Sequence, residues 1–282
     1  RRELIDDAGA ESTLPGEAWI VGAGPGDPGL ITLRAQQCIA QSDVVLHDRL
    51  VSPAVLDFAR KDAEFISVGK SPNRQGITQD EINELIIAHV KAGKRVCRLK
   101  GGDPLVFGRG GEEALALAAE QLPFEIVPGI SAALGCAAYA GIPLTHRGIS
   151  QSVTLMTAKL DRGSVPDLGR FAGGEHTLVL YMGVSSLAKT AMTLRQSGLS
   201  ADMPVAIVEN GTSDAQRVVS GTLASIAKIA AAAKVRSPAL IIIGKTAKLA
   251  DTLAWFQPAA GNAPDRSVPD AAGRCERPGF AV

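Results

Sequence analysis

The stretch WIVGAGPGDPGLITLRA, residues 19–35, runs from an apolar, strand-like start through a loop of glycines and prolines into a helical pattern. Within it, Gly24-Pro25-Gly26-Asp27-Pro28-Gly29 satisfies G-x-G-x-x-G, the pattern of a dinucleotide-binding turn. The next apolar run, Val44-Val45-Leu46, ends in His47-Asp48. That is about 20 residues further on, where such a fold places a ribose-binding acid. The prolines weaken the nicotinamide reading. A phosphate cradle needs free backbone N–H groups leading straight into a helix. Pro25 and Pro28 each remove one, and both push the preceding residue toward extended geometry. The helix is therefore expected to begin later, with Thr32 as its N-cap. The loop from Gly22 to Ile31 then suits the wall of a cavity, although Gly-Pro-Gly also serves as a plain turn.

Outward from this unit, short apolar runs alternate with helical patterns. Strands are expected at Trp19–Val21, Val44–Leu46, Phe65–Val68, Arg95–Leu99 and Phe124–Val127, with helices at Leu33–Gln41, Gln79–Ala92 and Gly111–Gln121. Alternation at this spacing implies crossover units and a mainly parallel sheet. After Pro143 strands follow one another without helices between them. Ser152–Thr157, Thr177–Met182, Pro204–Glu209, Gln216–Ser220 and Ala239–Ile243 read as strands, and Ser185–Gln196 and Leu223–Ala233 as helices, which implies a mixed sheet. The expected organisation is an irregular N-terminal extension (1–16), an α/β domain (17–143), a second α/β domain (144–257) and a flexible tail (258–282). The segment Ala137–Arg147 is expected to carry the connection.

Composition narrows the function classes. The chain has 282 residues, 46% hydrophobic and 21% charged, with Lys plus Arg and Asp plus Glu both at 29. No basic run interleaved with aromatics suggests nucleic acid, and no apolar run suggests a membrane span or a signal segment. Cys38, Cys97, Cys136 and Cys275 form no C-x-x-C pair, and the first three lie in apolar segments, as expected of reduced thiols in a cytoplasmic protein. The four histidines lack metal spacing, so no metal is expected.

The stretch RVCRLKGGDPLVFGRGGEEA, residues 95–114, carries the most chemistry. An apolar strand stops at Lys100, and Gly101-Gly102-Asp103-Pro104 makes a turn whose backbone can approach a ligand, at the strand end where open α/β sheets bind ligands. Arg109 sits between glycines just before Glu112 and Glu113, which open a helix where acids favour the dipole. A guanidinium there can grip a carboxylate in bidentate fashion. It can equally pair with Glu112 or Glu113 as a surface cap.

Taken with DVVLHDRLVS, VGK at Val68–Lys70, QDEIN at Gln79–Asn83, VPGISAALGCAAYAGIPLTHRG and LYMG, these motifs resemble the uroporphyrinogen-III C-methyltransferases, in order from about Glu17 to Trp255. The resemblance implies a two-domain tetrapyrrole-methylase α/β fold, with a mainly parallel N-terminal sheet, a mixed C-terminal sheet and the active site in the cleft between them. It also implies a homodimer, S-adenosyl-L-methionine as methyl donor and S-adenosyl-L-homocysteine as product. The implied reaction methylates uroporphyrinogen III at carbons 2 and 7, via precorrin-1, to give precorrin-2. Matched to the family's motifs, the donor contacts in the first half are Pro25, the turn Gly101-Gly102-Asp103, Val106, Ser131 and Ala132. In the second half they are Met182, Gly211, Ala239 and Leu240. Met182 also reads as core filler and Ser131 as a helix cap. Arg109 and Arg147 match substrate-handling positions, with Lys70, Lys100 and Arg49 as further cations for a carboxylate-rich substrate. Asp48 and Glu112 match acids near the reaction centre, and Arg109, Glu112 and Asp48 form the expected catalytic set. Asp48 also reads as a solvated strand-end acid.

The chain departs from the family pattern at His47, Ser71 and Leu105. It is expected to stop at precorrin-2, with no module for oxidising that product and inserting iron, leaving later enzymes to make sirohaem, cobalamin or haem d1. A methyltransferase for a later cobalamin precursor or for diphthamide is the alternative within the fold. A nicotinamide-dependent oxidoreductase and a non-catalytic tetrapyrrole carrier are the alternatives of other classes.

Overall fold

The computed structural model describes residues 4–5, 11–12, 16–69, 77–158 and 175–258. Near the start, β1 (Leu4–Ile5) and β2 (Glu11–Ser12) pair antiparallel within the segment read as irregular.

The first half alternates strand and helix: β3 (Glu17–Gly22), α1 (Leu33–Gln41), β4 (Val44–His47), α2 (Pro53–Leu56), β5 (Glu64–Ser67), α3 (Gln79–Lys91), β6 (Arg95–Lys100), α4 (Gly110–Ala119) and β7 (Phe124–Val127). The five strands form one parallel sheet in the order β5-β4-β6-β3-β7. Successive side chains of a strand point to opposite faces, so both faces are filled. Ala18, Ile20, Val44, Leu46 and Val96 pack on Ile82 and Ile86 of α3 and Leu117 of α4. On the opposite face Trp19, Val21, Val45, Cys97 and Leu99 pack on Ala35, Cys38 and Ile39 of α1 and Val55 of α2. Thr32 caps α1 as expected, its hydroxyl accepting from the Ala35 N–H at 3.2 Å. The loop before it is not wholly irregular. Asp27 accepts from the Gly29 N–H at 2.7 Å and starts a 3-10 turn at Pro28–Leu30.

Asp43 fastens the amino-terminal ends of β4 and β6. Its carboxylate accepts from the Arg95 backbone N–H at 2.8 Å, from the Arg95 guanidinium at 3.1 and 3.2 Å, and from Arg60 at 2.9 Å. Hydrogen bonding to Arg95, more than to Arg60, lowers its pKa to about 2. An ordinary Asp titrates near ~3.9, so this contribution to stability is complete above about pH 4 and is lost as pH falls through the folded value. Asp43→Asn is expected to cost about 1–2 kcal/mol at neutral pH, part of the shift being screened by water. Urea unfolding at pH 7 and pH 2.5 should show a gap between the two proteins that narrows in acid.

Next comes α5 (Ala132–Tyr139), ended by a Schellman motif. Gly141 takes φ +67°, its N–H bonds Ala138 O at 3.1 Å, and the Ile142 N–H bonds Ala137 O at 2.8 Å. The connection expected from Ala137 therefore starts later, because the alanine-rich helix continues until a glycine can supply the left-handed turn. The second half contains β8 (Ser152–Thr157), β9 (His176–Tyr181), α6 (Leu187–Gln196), β10 (Pro204–Glu209), β11 (Arg217–Thr222), α7 (Ile226–Ala232), β12 (Ala239–Ile243) and α8 (Ala250–Leu253). Its strands form a mixed sheet ordered β11-β10-β12-β9-β8, in which only β8 and β9 pair in parallel.

One face of this sheet packs on α6 and α7 through Leu187, Leu194, Ile226 and Ala230. The other receives Ala133, Cys136, Ala137 and Ala140 of α5 against Val179, Ala206, Val208, Leu240 and Ile242. Small residues let α5 lie close to both halves. A Cβ on Gly135 would stand 2.4 Å from Pro25 Cγ, and one on Gly211 would stand 2.3 Å from Cys136 Sγ. Cys38, Cys97 and Cys136 are all buried and free. Burial pushes the Cys38 thiol up to about 11 and that of Cys136 up to about 12. Among the described residues no helix is long and apolar enough to cross a membrane, and no group of three or more His, Cys, Asp or Glu could hold a metal ion. Residues 259–282, read as most of the tail, lie outside the described residues, as do Lys70 and Ser71.

Candidate active site

Three glycine-bearing segments meet at the carboxyl ends of the parallel strands. Beyond β3 and β6, Gly24 and Gly102 exchange backbone hydrogen bonds of 3.2 and 2.7 Å, and the Ala23 N–H donates to Lys100 O at 2.7 Å. The turn after β7 crosses them so closely that no side chain fits. A Cβ on Gly22 would stand 2.6 Å from Gly102 O, and one on Gly129 would stand 2.4 Å from the same oxygen. Gly102 itself takes φ +70°, and a Cβ there would meet Ala132 N at 3.6 Å and Ser131 Cα at 3.9 Å. Asp103 staples two of the segments: one carboxylate oxygen accepts from Leu105 N–H at 2.9 Å, the other from Gly129 N–H at 3.1 Å. The expected donor residues Gly101, Gly102, Asp103, Ser131 and Ala132 are thus one cradle, made mostly of backbone.

The second half closes over it. Because β12 runs antiparallel to β9 and β10, its start lies beside their ends, and Ala239 pairs with Glu209. Tyr181, at the end of β9, hydrogen-bonds the Ser131 hydroxyl and accepts from the Ala133 N–H at 2.9 Å, while its ring lies 4.8 Å from that of Phe107. Burial raises the Tyr181 pKa, so the phenol is neutral at physiological pH. Met182 follows, half exposed and at φ +55°. Leu240 is buried under α5, which leaves its backbone as the part able to meet a ligand. A ring of hydrogen bonds ties the halves together. The Asp27 N–H donates to Thr212 Oγ1 (3.1 Å), Thr212 N–H to Gln216 Oε1 (2.7 Å), Gln216 Nε2 to Tyr139 O (3.1 Å), and Tyr139 Oη to Asp27 Oδ2 (2.7 Å).

Phe107, Arg109, Met182, Asn210 and Thr212 are all non-glycine residues with positive φ. Such backbone costs of order 1–3 kcal/mol per residue and gathers at functional sites. The cradle also meets the needs of a methyl donor that has no phosphate. Bare backbone lets a nucleoside approach, Met182 and the aromatic pair supply apolar surface, and Arg34, the cation just beyond the loop, is already tied to Glu125 at 2.8 Å.

The charged residues divide into an outer and an inner set. Outside, Arg109 is the left-handed N-cap of α4 and donates to both oxygens of Glu112, at 2.8 and 2.7 Å. This hydrogen bonding holds the Glu112 carboxyl below the usual carboxylate range. Arg147 and Arg49 are exposed, Arg49 lying against Gly69. Inside, Arg98, Lys100 and Glu113 are almost wholly buried. Glu113 Oε1 accepts from Arg98 Nε at 2.9 Å, from Lys100 Nζ at 2.9 Å and from Gln79 Nε2 at 3.3 Å. Arg98 Nη2 donates to Asp48 Oδ1 at 2.6 Å. Burial, followed by the neighbouring Arg98 charge, lowers the Lys100 pKa. For Arg98 burial acts in the same direction, but Asp48 and Glu113 outweigh it and the pKa rises.

Lys100, expected on the substrate side, is therefore turned inward against Glu113. Arg98, Glu113, Gln79 and Tyr181 carry no site role in the sequence reading. Arg98 did leave a signal, a charge at an inward position of a strand filled on both faces. Tyr181 left none.

A family model described as Tetrapyrrole (Corrin/Porphyrin) Methylases matches residues 18–227. A siroheme synthase of Ectopseudomonas mendocina is 51% identical over 257 residues, covering 90% of this chain and 55% of that protein. The corresponding protein of Gluconobacter oxydans is 51% identical over 250 residues, with 88% and 52% covered. The chain thus spans about half the length of the curated relatives it matches. Among solved structures, uroporphyrin-III C-methyltransferase from Thermus thermophilus complexed with S-adenosylhomocysteine superposes with a TM-score of 0.72 at 40% identity, covering 83% of this chain and 100% of that one. A cobalt precorrin-4 methyltransferase gives 0.74 at 29% identity, covering 82% and 95%.

Proposed function

The chain belongs to the tetrapyrrole (corrin/porphyrin) methylases, and on that premise we propose that it transfers two methyl groups from S-adenosylmethionine to carbons 2 and 7 of uroporphyrinogen III, through precorrin-1, to give precorrin-2. The observation that carries this reading is the juxtaposition of a bare backbone cradle, where Gly22, Gly102 and Gly129 cross, with an arginine held by a carboxylate at the start of α4. The identity across the whole length of the Thermus thermophilus enzyme supports it.

When bound, S-adenosylmethionine supplies an electrophilic methyl group on a sulfonium. The chain's own residues bind, orient and exclude water. Gly101, Gly102, Ser131, Ala132 and the backbone at Gly211, Ala239 and Leu240 are assigned to the donor, with Pro25, Val106 and Met182 as apolar neighbours and Asp103 fixing the turn. Because the donor is already activated, most of the rate is assigned to positioning and desolvation. The substrate's carboxylates call for cations at the mouth, and the exposed Arg109, Arg147 and Arg49 are assigned to them, as is Lys70. A guanidinium keeps its proton in a protein, so Arg109 is assigned to orienting the substrate or stabilising charge rather than to taking a proton. Asp48, about one third exposed and gripped by Arg98, is assigned the proton that leaves the ring system, and Glu112 the task of orienting Arg109. Lys100 supports the site from beneath the sheet.

A homodimer in the cytoplasm, with precorrin-2 passed on to sirohaem or another reduced tetrapyrrole, completes the reading. Titration calorimetry tests the donor half directly. S-adenosylhomocysteine should bind one per chain while NADH gives no heat, and tight NADH binding without S-adenosylhomocysteine binding would return the Gly22–Ile31 loop to a nicotinamide role.

A further inference from the structure

We infer that Glu113 is a positioning residue for the proposed methyl transfer: it anchors the inner side of Arg98, whose outer side grips Asp48, and so sets the aim of Asp48 from beneath the sheet. The inference rests on the functional reading above and adds to it a residue that touches neither substrate nor donor.

Glu113 lies on the first turn of α4 and is fully buried, its side chain at 0% exposure. One oxygen carries the load, accepting from Arg98, Lys100 and Gln79, and the other, Oε2, has no partner among the described residues. Taking these charges out of water costs several kcal/mol per ion, and a buried ion pair is weak evidence for stability. A carboxylate evolved only to neutralise two cations gains most by engaging both oxygens. Here every donor converges on the single oxygen that faces Arg98.

Arg98 is equally committed. Its Nε donates to Glu113, its Nη1 to the carbonyls of Leu99 (3.3 Å) and Leu46 (3.5 Å), and its Nη2 to Asp48 (2.6 Å). The planar fork therefore spans from α4, across β6 and β4, to the one carboxylate of the group that reaches solvent. Neighbouring acids on α4 divide the work. Glu112 faces outward and holds Arg109; Glu113 faces inward and holds Arg98. One helical turn thereby fixes the spacing between the outer guanidinium and Asp48.

The test compares the purified wild-type chain, Glu113→Gln, Asp48→Asn and the double variant Glu113→Gln/Asp48→Asn in anaerobic turnover of uroporphyrinogen III, with the Kd of S-adenosylhomocysteine measured alongside. Glu113→Gln should lower kcat on the order of 10–100-fold, the usual cost of a misplaced group, and leave that Kd within about threefold. The double variant should be no slower than Asp48→Asn alone, because Glu113 acts through Asp48. Multiplying effects in the double variant, or wild-type kcat in Glu113→Gln, would overturn the inference.

Glu113→Gln leaves Arg98 and Lys100 with one carboxylate and can unfold for that reason. Glu113→Gln/Lys100→Met restores the charge balance. It should regain thermal stability and keep the kcat defect, whereas recovery of kcat together with stability would reduce Glu113 to a counter-ion. An inactive wild type sinks the functional reading and this inference together; an active wild type with either contrary result sinks this inference alone.

Discussion

Arg109→Ala is expected to abolish nearly all turnover, on the order of 10³-fold in kcat as for loss of a charge-stabilising donor, and to leave S-adenosylhomocysteine binding within about threefold. Arg109 belongs to the outer charged set. It caps α4 in a left-handed conformation, φ +60°, and is 58% exposed while paired with Glu112. A surface pair of this kind is worth about 0–1 kcal/mol. The left-handed backbone that holds this exposed cation at the start of α4 fits the substrate role proposed for it better than a role in stability. Arg109→Lys should recover little, because an ammonium lacks the planar fork that meets a carboxylate with two parallel bonds. Full activity in Arg109→Ala would end its assignment to the reaction.

Gly129→Ala acts on the other half of the site and should remove donor binding. The new Cβ would stand 2.4 Å from Gly102 O and 2.8 Å from Gly22 Cα, all of it backbone with no flexible side chain to give way. Overpacking of this kind costs typically 1–3 kcal/mol and sometimes more. It would force apart the three segments that make the cradle, so affinity for S-adenosylhomocysteine should fall by at least about 100-fold, or ~2.7 kcal/mol. Gly111→Ala is the control, since nothing lies within 4 Å of its Cβ. Alanine should be tolerated there, with stability unchanged or raised by up to about 1 kcal/mol. Calorimetry and thermal unfolding of the two variants side by side separate a cradle that depends on backbone contact from a loop that is merely short of side chains.

Local chemistry made much of the architecture legible. Thr32 announced the start of α1 because a hydroxyl before an apolar periodic run satisfies a free N–H, and the structure uses it so. The parallel and mixed character of the two sheets followed from the presence or absence of helices between strands. What failed to show in the sequence depends on contacts between distant segments. The end of α5 was missed because the alanine-rich run Ala137–Ala138–Tyr139 suits a helix or a linker, and the decision rests on Gly141 and on packing under the second sheet. Lys100 reads as a free cation at a strand end, and only Glu113, brought in by α4, turns it inward. Tyr181 sits in an ordinary strand, and its bonds to Ser131 and Ala133 arise when β9 meets the start of α5. Glycine loops and polar caps carry their purpose in sequence; a buried charge such as Arg98 shows there as unusual, but its partners do not.

The most direct test of the central claim is anaerobic incubation of the purified chain with uroporphyrinogen III and labelled S-adenosylmethionine, counting S-adenosylhomocysteine released per tetrapyrrole and weighing the product. Two equivalents released with a doubly methylated tetrapyrrole is the predicted result. Tight donor binding with no methyl transfer to uroporphyrinogen III would contradict it and move the site to a different tetrapyrrole.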